Sequence, residues 1–193
     1  MFTEPQSTRE RKGWIEVICG PMFSGKTEEL IRRLRRAEIA NRRINIFKPR
    51  MDVRYHETNI VSHNANNIAS IPVCHSSEIL LIANEVDVVA VDEAQFFDEG
   101  ILEVVQLLAS KGIRVIVAGL DMDYQGKPFG PMPALLATAE YVTKLHAICM
   151  VCGDIASHSF RTVPNADHLL LGETDAYQAR CRMCFLNGIG MQP

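Results

Sequence analysis

The sequence predicts an α/β protein: a mainly parallel sheet flanked by helices, with a small cysteine-rich segment at the C-terminal end. Short apolar runs typical of buried strands alternate with amphipathic helical patterns as far as residue 148, and four cysteines in two close pairs follow. The 193 residues are 47% hydrophobic, enough for one compact core with a small appendage. We therefore predict a flexible tail at 1–13, a core domain at 14–148 and a second domain at 149–193.

The hydrophobic pattern predicts the order of the elements. Predicted strands occupy 14–19, 43–48, 71–74, 87–93, 114–120 and 141–148. Predicted helices occupy 28–41, 77–84 and 98–111. The last helix turns four apolar residues inward: Ile101, Val104, Val105 and Leu108. The first helix has an apolar stripe, and its arginines are expected on a solvated face: Arg32, Arg33, Arg35 and Arg36.

Two long connections could carry function. The polar stretch 50–67 has no clean period, and a connection of that length is often a lid, although plain disorder is the alternative. The segment 121–133 is predicted to be a loop rich in glycine, proline and aromatic residues. At the end of a core strand such residues either line a ligand pocket or pack on the surface.

The octet that follows the first predicted strand has the strongest local signal. It reads Gly20, Pro21, Met22, Phe23, Ser24, Gly25, Lys26 and Thr27. Between a strand and a helix, G-x-x-x-x-G-K-T is a phosphate-binding P-loop, whereas elsewhere it could be an ordinary glycine-rich turn. Gly20 and Gly25 let backbone N–H groups face an anion at the positive end of the helix. Lys26 is expected to reach the β- and γ-phosphates of ATP, and the Thr27 hydroxyl to bind Mg²⁺.

A carboxylate pair closes the apolar run at 87–91. Parallel strands present the residues at their carboxyl ends to the ligand edge of an open sheet. Asp92 is therefore expected to help hold hydrated Mg²⁺ beside the P-loop, which leaves Glu93 as a general base. The alternative is a helix N-cap, since an Asp-Glu pair after a strand is common.

Two C-x-x-C pairs predict a structural zinc site. Cys149, Cys152, Cys181 and Cys184 place four thiolates where one tetrahedral Zn²⁺ can bind and leave no open coordination position. Four free thiols are the alternative. Cys19 and Cys74 are predicted to be buried core thiols, and His158 and His168 to be polar loop residues. The segments 157–161 and 167–172 resemble two short strands joined by a turn.

Composition excludes several classes of function. A net charge of −3 opposes nucleic-acid binding through a broad basic surface. No apolar run reaches the roughly 18 residues of a membrane-spanning helix, so no membrane partner is expected. The polar N-terminus does not resemble a secretory signal, and the six cysteines are expected in the reducing cytoplasm.

Together these motifs resemble those of the type II thymidine kinase family. The resemblance extends from about Trp14 to Phe185 and includes Gly-Pro-Met-Phe-Ser-Gly-Lys-Thr at 20–27, Asp-Glu-Ala-Gln-Phe-Phe at 92–97 and Lys-Pro-Phe-Gly at 127–130. It implies a RecA-like P-loop core with a zinc-bearing lasso domain. It implies transfer of the ATP γ-phosphoryl group to the 5′-hydroxyl of thymidine, and secondarily of deoxyuridine, in pyrimidine salvage. It also implies a homotetramer inhibited by thymidine triphosphate (dTTP).

The resemblance assigns roles to individual positions. Glu93 matches the family's proton acceptor, with Asp92 and Gln95 beside it at the nucleotide site. Asp52 and Arg54 match the Asp-x-Arg of the lid, where Arg54 neutralises charge on the transferring phosphate. Positions that correspond to the thymine pocket are Met22, Phe96, Leu120, Tyr124 and Phe129. Positions that correspond to the lasso are His168, Leu169, Leu170, Leu171, Gly172 and Tyr177.

The chain departs from the family pattern mainly in the lasso. His168, Leu169 and Glu173 differ from the family's residues there, and Ser159 stands where threonine is common.

Two other functions fit part of the sequence. Asp-Glu-Ala-Gln also resembles helicase motifs, and zinc ribbons often bind nucleic acid, which suggests a nucleic-acid-stimulated ATPase. The chain has no room for the second RecA-like domain that a helicase needs. A non-catalytic nucleotide sensor is the other alternative, but a sensor does not need a base such as Glu93.

Overall fold

One parallel sheet forms the centre of the molecule. The structure is a computed structural model that describes residues 12–50, 59–61, 67–163 and 176–190. In chain order, its first strands are Trp14–Cys19 (β1), Ile44–Pro49 (β2), Asn59–Val61 (β3), Asn67–Ala69 (β4), Ile71–Val73 (β5), Val88–Val91 (β6), Arg114–Gly119 (β7) and Tyr141–Lys144 (β8). Six of them form the sheet, in the order β5-β2-β6-β7-β1-β8, and each pairing is parallel. The predicted α/β fold is thereby confirmed.

Helices cover both faces of this sheet. They are Lys26–Ile39 (α1), Glu78–Ile82 (α2), Ile101–Ser110 (α3) and Met132–Thr138 (α4). On one face, Leu30 and Leu34 of α1 share a core with Ile18 and Ile116 of the sheet. On the other face, α2, α3 and α4 form a second core with the opposite side chains of the strands. Because both faces are buried, the strands read as continuous apolar runs.

The C-terminal part is a small separate arrangement. Its strands are Ala147–Ile148 (β9), Ile155–Ala156 (β10), His158–Arg161 (β11) and Tyr177–Arg180 (β12), and helix Arg182–Gly188 (α5) follows. β9 pairs with β10 and β11 with β12, both antiparallel. A small core is formed by Ala147, Cys149, Ala156, Ala179 and Cys181. The proposed domain boundary at residue 148 stays a prediction.

Several predicted elements are confirmed with shifted ends. In α3, the four residues predicted to face inward are all buried. α1 begins at Lys26 instead of Glu28, because Gly25 ends the P-loop in a left-handed conformation and serves as the N-cap. None of the helices in the described ranges has the length and apolar character needed to cross a membrane.

Two predicted segments were wrong. The segment 121–133 does not remain a loop to its end, because α4 begins at Met132; Pro133 lies in the first turn, where a missing N–H costs nothing. The strand predicted at 141–148 is two strands, β8 in the main sheet and β9 in the C-terminal part. The strand predicted at 157–161 is confirmed as β11, which pairs with β12, whereas the strand predicted at 167–172 lies outside the described residues and stays a prediction.

Three residues lie in surroundings that differ from those predicted. Cys74 is exposed, because it follows β5 at the edge of the sheet. Arg33 is fully buried instead of solvated. His158 is buried in β11, and its ring stacks on Phe185 with 4.5 Å between centroids.

The burial of Arg33 is explained by a network of charges beneath α1. Glu16 of β1 is fully buried and accepts hydrogen bonds from Arg33 Nη1 at 2.8 Å and Arg114 Nε at 2.6 Å. Trp14 Nε1 donates to the same carboxylate at 2.6 Å. Arg33 also donates to Glu29 and to Thr143. Buried charges are tolerated when they are paired and hydrogen-bonded in this way, and here the pairing joins α1 to β1, β7 and β8.

Replacing Glu16 by Gln is expected to lower the free energy of unfolding by about 2–3 kcal/mol, because it removes the charge that compensates two buried guanidinium groups. Urea denaturation measures the change. Glu103→Gln is the matched control, since Glu103 is exposed on α3. Equal midpoints for the two variants would show that the Glu16 charge does not contribute to stability.

Candidate active site and cysteine cluster

The octet lies between β1 and α1, as predicted: residues 20–25 form the turn, and Lys26 and Thr27 begin the helix. Gly20 has a φ of 146°, and a Cβ there would lie 2.4 Å from the Leu145 carbonyl oxygen. Gly25 has a φ of 83° at the start of α1. Both conformations favour glycine, and the turn opens onto the N-terminal end of a 14-residue helix. A turn of this kind before a helix N-terminus has the backbone geometry that suits an anion, and phosphate binding stays a prediction.

Lys26 occupies the space between this loop and a group of carboxylates. Its Nζ donates to the Pro21 carbonyl oxygen at 2.8 Å. Burial lowers the pKa of Lys26, while Glu93, Asp92 and Asp121 act in the opposite direction. An ammonium group in this position can exchange its carbonyl partner for a phosphate oxygen.

Asp92 and Glu93 follow β6 at the same edge of the sheet. Asp92 is buried, and its Oδ1 accepts the N–H of Glu93 at 3.0 Å. Burial, assisted by the charge of Glu93, raises the pKa of Asp92 to about 7. A bound cation would stabilise the ionised form of this carboxyl group and so lower its pKa. Glu93 is exposed, with a φ of 53° and ψ of 41°, an uncommon conformation for a residue other than glycine that concentrates at functional sites.

Gln95 is buried beside this pair. Its amide nitrogen donates to Glu93 Oε2 at 2.6 Å, and its amide oxygen accepts the N–H of Leu120 at 2.9 Å. The structure therefore places Gln95 against the predicted base. Contact with the nucleotide stays a prediction for this residue.

The residues predicted for the thymine pocket form two contacts near the same edge. The rings of Phe96 and Phe129 meet edge to face, with 5.4 Å between centroids. The Arg161 guanidinium lies over the ring of Tyr124, at 5.1 Å from its centroid. Tyr177 is the register partner of Arg161 across β11 and β12. The structure thus brings Tyr124 and Tyr177 to the same arginine.

A hydrogen bond joins the P-loop to the C-terminal part. The N–H of Met22 donates to Ser159 Oγ at 3.0 Å. Ser159 is buried in β11. The position of β11 therefore affects the backbone of the P-loop directly.

The four predicted cysteine ligands converge on one point. The Sγ atoms of Cys149, Cys152, Cys181 and Cys184 all lie within 4.8 Å of one another, and those of Cys152 and Cys181 are 3.7 Å apart. Four sulfurs around a tetrahedral zinc, each at about 2.3 Å, lie about 3.8 Å apart, so this cluster fits that ion.

Hydrogen bonds within the cluster shift the pKa values of its thiols in opposite directions. Despite its burial, N–H donors from Cys181, Cys152 and Val151 hold the pKa of Cys149 at about 6. Hydrogen bonds to Cys181 and Cys152 raise the pKa of Cys184 to about 12. A metal ion bound by these sulfurs would displace the thiol protons.

Comparison with known proteins gives one consistent family. The thymidine kinase family model matches residues 13–185. The chain is 59% identical over 192 residues to a thymidine kinase of Bacteroides thetaiotaomicron, which covers 98% of this chain and 96% of the relative. The chain belongs to the thymidine kinase family. Thymidine kinases of Porphyromonas gingivalis and a Rhodothermus species are 59% and 61% identical over 91% and 90% of this chain, covering 86% and 81% of those relatives.

Two charged residues near the P-loop were not predicted from the sequence. Asp121, two residues after the end of β7, is buried and forms an ion pair of 2.7 Å with Lys144 Nζ at the end of β8. Its charge acts on Lys26, whose pKa it raises against the effect of burial. A carboxylate directly after a buried strand is the signal that identified Asp92, and it was available for Asp121 as well.

The predicted lid residues and most of the predicted lasso residues lie outside the described residues. These are Asp52, Arg54, His168, Leu169, Leu170, Leu171 and Gly172. Their roles stay predictions.

Proposed function

We propose that the chain transfers the γ-phosphoryl group of ATP to the 5′-hydroxyl of thymidine. The observation that carries the proposal is the meeting, at one edge of the sheet, of a P-loop with Lys26 and a carboxylate pair with an exposed Glu93. The P-loop with Lys26 suits the phosphates of a nucleotide, and the carboxylate of Glu93 suits the proton of an acceptor hydroxyl. Membership of the thymidine kinase family supports the identity of both substrates.

The residues of the P-loop hold the donor. Backbone N–H groups of 20–27 and the N-terminus of α1 surround the phosphates, and Lys26 binds their β- and γ-oxygens. Thr27 and Asp92 supply oxygen ligands suited to Mg²⁺, Asp92 through the ion's water shell. When bound with ATP, Mg²⁺ neutralises charge on the β- and γ-phosphate oxygens.

Glu93 acts on the acceptor. It removes the proton of the thymidine 5′-hydroxyl as that oxygen bonds to the γ-phosphorus, and the bond from this phosphorus to the β–γ bridging oxygen breaks to release ADP. Arg54, with Asp52 in the same lid, neutralises charge on the transferring group. Closure of the lid excludes water, which would otherwise hydrolyse ATP.

The base of thymidine is bound by apolar side chains and by backbone groups. Met22, Phe96, Leu120, Tyr124 and Phe129 form a slot suited to a flat pyrimidine. The lasso residues 168–172 and Tyr177 read its polar edge. The 5-methyl group adds on the order of 1–3 kcal/mol, so deoxyuridine is a slower substrate.

Zinc has a structural role in this proposal. Four cysteine ligands leave no position for a substrate, and a zinc ion bound to them would hold the turn between β9 and β10 against the end of β12 and the first turn of α5. We further propose a cytoplasmic homotetramer, inhibited by dTTP and without a nucleic-acid partner. The resemblance supports the tetramer and the inhibitor, and reduced thiols support the compartment.

The test is transfer of labelled γ-phosphate from Mg-ATP to thymidine, with deoxycytidine, deoxyguanosine and single-stranded DNA in parallel reactions. We expect label on thymidine 5′-monophosphate and little on the other nucleosides. ATP hydrolysis that rises with DNA, without any labelled nucleoside, would replace the kinase by a nucleic-acid-stimulated ATPase.

A further inference from the structure

Gln95 connects two parts of the proposed acceptor site. It lies in a short 3₁₀ turn, Ala94–Phe96, directly after the carboxylate pair, and its residue surface is only 3% exposed. One end of its side-chain amide donates to Glu93 Oε2 at 2.6 Å. The other end accepts the N–H of Leu120 at 2.9 Å. Both ends of the amide thus have a defined partner, which fixes its orientation.

The space around Gln95 holds it in this position. A Cβ on Gly119, at the end of β7, would lie 2.8 Å from the Gln95 amide oxygen. A Cβ on Gly130 would lie 2.3 Å from its backbone oxygen. Two backbone segments therefore approach Gln95 more closely than a side chain would permit. A buried amide enclosed in this way has one rotamer available.

Glu93 needs such support. It is exposed, in a left-handed backbone conformation, and Asp92 beside it carries like charge. A long exposed carboxylate samples several rotamers unless a neighbour fixes it. Within the described ranges, the side-chain hydrogen bond to the Glu93 carboxylate engages Oε2, so Oε1 remains for the substrate proton. Proton transfer depends on this geometry first.

We propose that Gln95 is a positioning residue that aims the Glu93 carboxylate and ties it to the Leu120 backbone. This rests on the proposed function, in which Glu93 is the base and Leu120 lines the thymine pocket. The pocket wall and the proton acceptor then form one rigid unit. When a nucleoside binds against Leu120, the carboxylate oxygen of Glu93 is already positioned to accept the proton of its 5′-hydroxyl.

Two variants test the role of the amide. Gln95→Glu keeps the length and the acceptor for Leu120 N–H but loses the donor to Glu93, and Gln95→Met loses both. We expect each to lower kcat by about 10-fold or more, with the KM for Mg-ATP changed by less than about twofold. Gln106→Glu is the matched control, because it makes the same substitution on the exposed side of α3. Thermal melting shows whether either variant is misfolded. If Gln95→Glu is misfolded, the test relies on Gln95→Met.

The kcat of double variants that also carry Glu93→Gln separates a positioning role from a purely structural one. If Gln95 acts through Glu93, Gln95→Met costs less than about twofold in the Glu93→Gln background, whereas independent effects multiply. Multiplying effects would overturn the proposal. A KM for Mg-ATP raised 10-fold at unchanged kcat would also overturn it, and would make Gln95 a nucleotide contact.

The proposed function can fail separately. If the wild-type chain does not phosphorylate thymidine, the function is wrong whatever the variants do. If the wild type is active and Glu93→Gln loses about 100-fold, a wild-type kcat in both Gln95 variants overturns the positioning role alone.

Discussion

Replacing Glu93 by Gln is expected to lower kcat for thymidine phosphorylation by roughly 10²-fold or more, the usual contribution of a general base. Glutamine has the same shape and can still accept the hydrogen bond from Gln95, but it cannot take the proton of the 5′-hydroxyl. Mg-ATP binding should be close to that of the wild type, because Lys26 and the P-loop are unchanged. Initial rates at saturating substrates and titration with Mg-ATP measure the two quantities.

Glu99→Gln is the matched control for this experiment. Glu99 is exposed a few residues along the chain and makes the same change of charge outside the site. Its kcat should equal that of the wild type. A kcat for Glu93→Gln within about twofold of the control would remove Glu93 from the role of base.

Replacing Cys149 by Ser is expected to remove zinc and destabilise the C-terminal part by more than about 4 kcal/mol, the scale associated with loss of a metal site. Three thiolates hold the ion poorly, and the small core around Cys149 and Ala179 has little other support. Because β11 holds the Met22 N–H through Ser159, the affinity for Mg-ATP should fall with the zinc content. Metal analysis, thermal unfolding and Mg-ATP titration measure the three effects.

Cys74→Ser controls for the loss of a thiol. Cys74 is exposed at the edge of the sheet and is not one of the clustered cysteines. It should retain one zinc per chain and the wild-type melting temperature. Wild-type protein that contains no zinc when purified without chelators would contradict the metal assignment. So would Cys149→Ser protein that lacks zinc but melts at the wild-type temperature.

Prediction from sequence placed residues correctly where the signal lies in a short contiguous motif. The turn before α1, with Gly20 and Gly25 at positive φ, could be predicted because the P-loop pattern sets its own backbone conformation within eight residues, and the phosphate-binding role of Lys26 stays a prediction. Asp92 could be assigned because a continuous apolar strand that ends in an acid has a known place at the edge of a parallel sheet. The cysteine pairs are just as local, since each C-x-x-C forms its own half of a site.

Prediction failed where a residue's surroundings depend on a distant partner. Arg33 reads as a solvated arginine on a helix, and only Glu16, on a strand 17 positions earlier, accounts for its burial. The α4 helix was missed because Pro133 usually marks a break, although it is harmless in a first turn. Strand β12 was not predicted, because its four residues form a strand only through pairing with β11.

The sequence by itself determined the fold class and the positions of the predicted phosphate-binding loop, the carboxylate pair and the four clustered cysteines, because each is set by local backbone geometry and residue type. The tertiary structure alone decided what joins them. Ser159 reaches Met22 across 137 positions, Arg114 reaches Glu16 across 98, and Gln95 links Glu93 to Leu120. Such contacts depend on which strands become neighbours and which charges find partners when buried, and no local pattern encodes either.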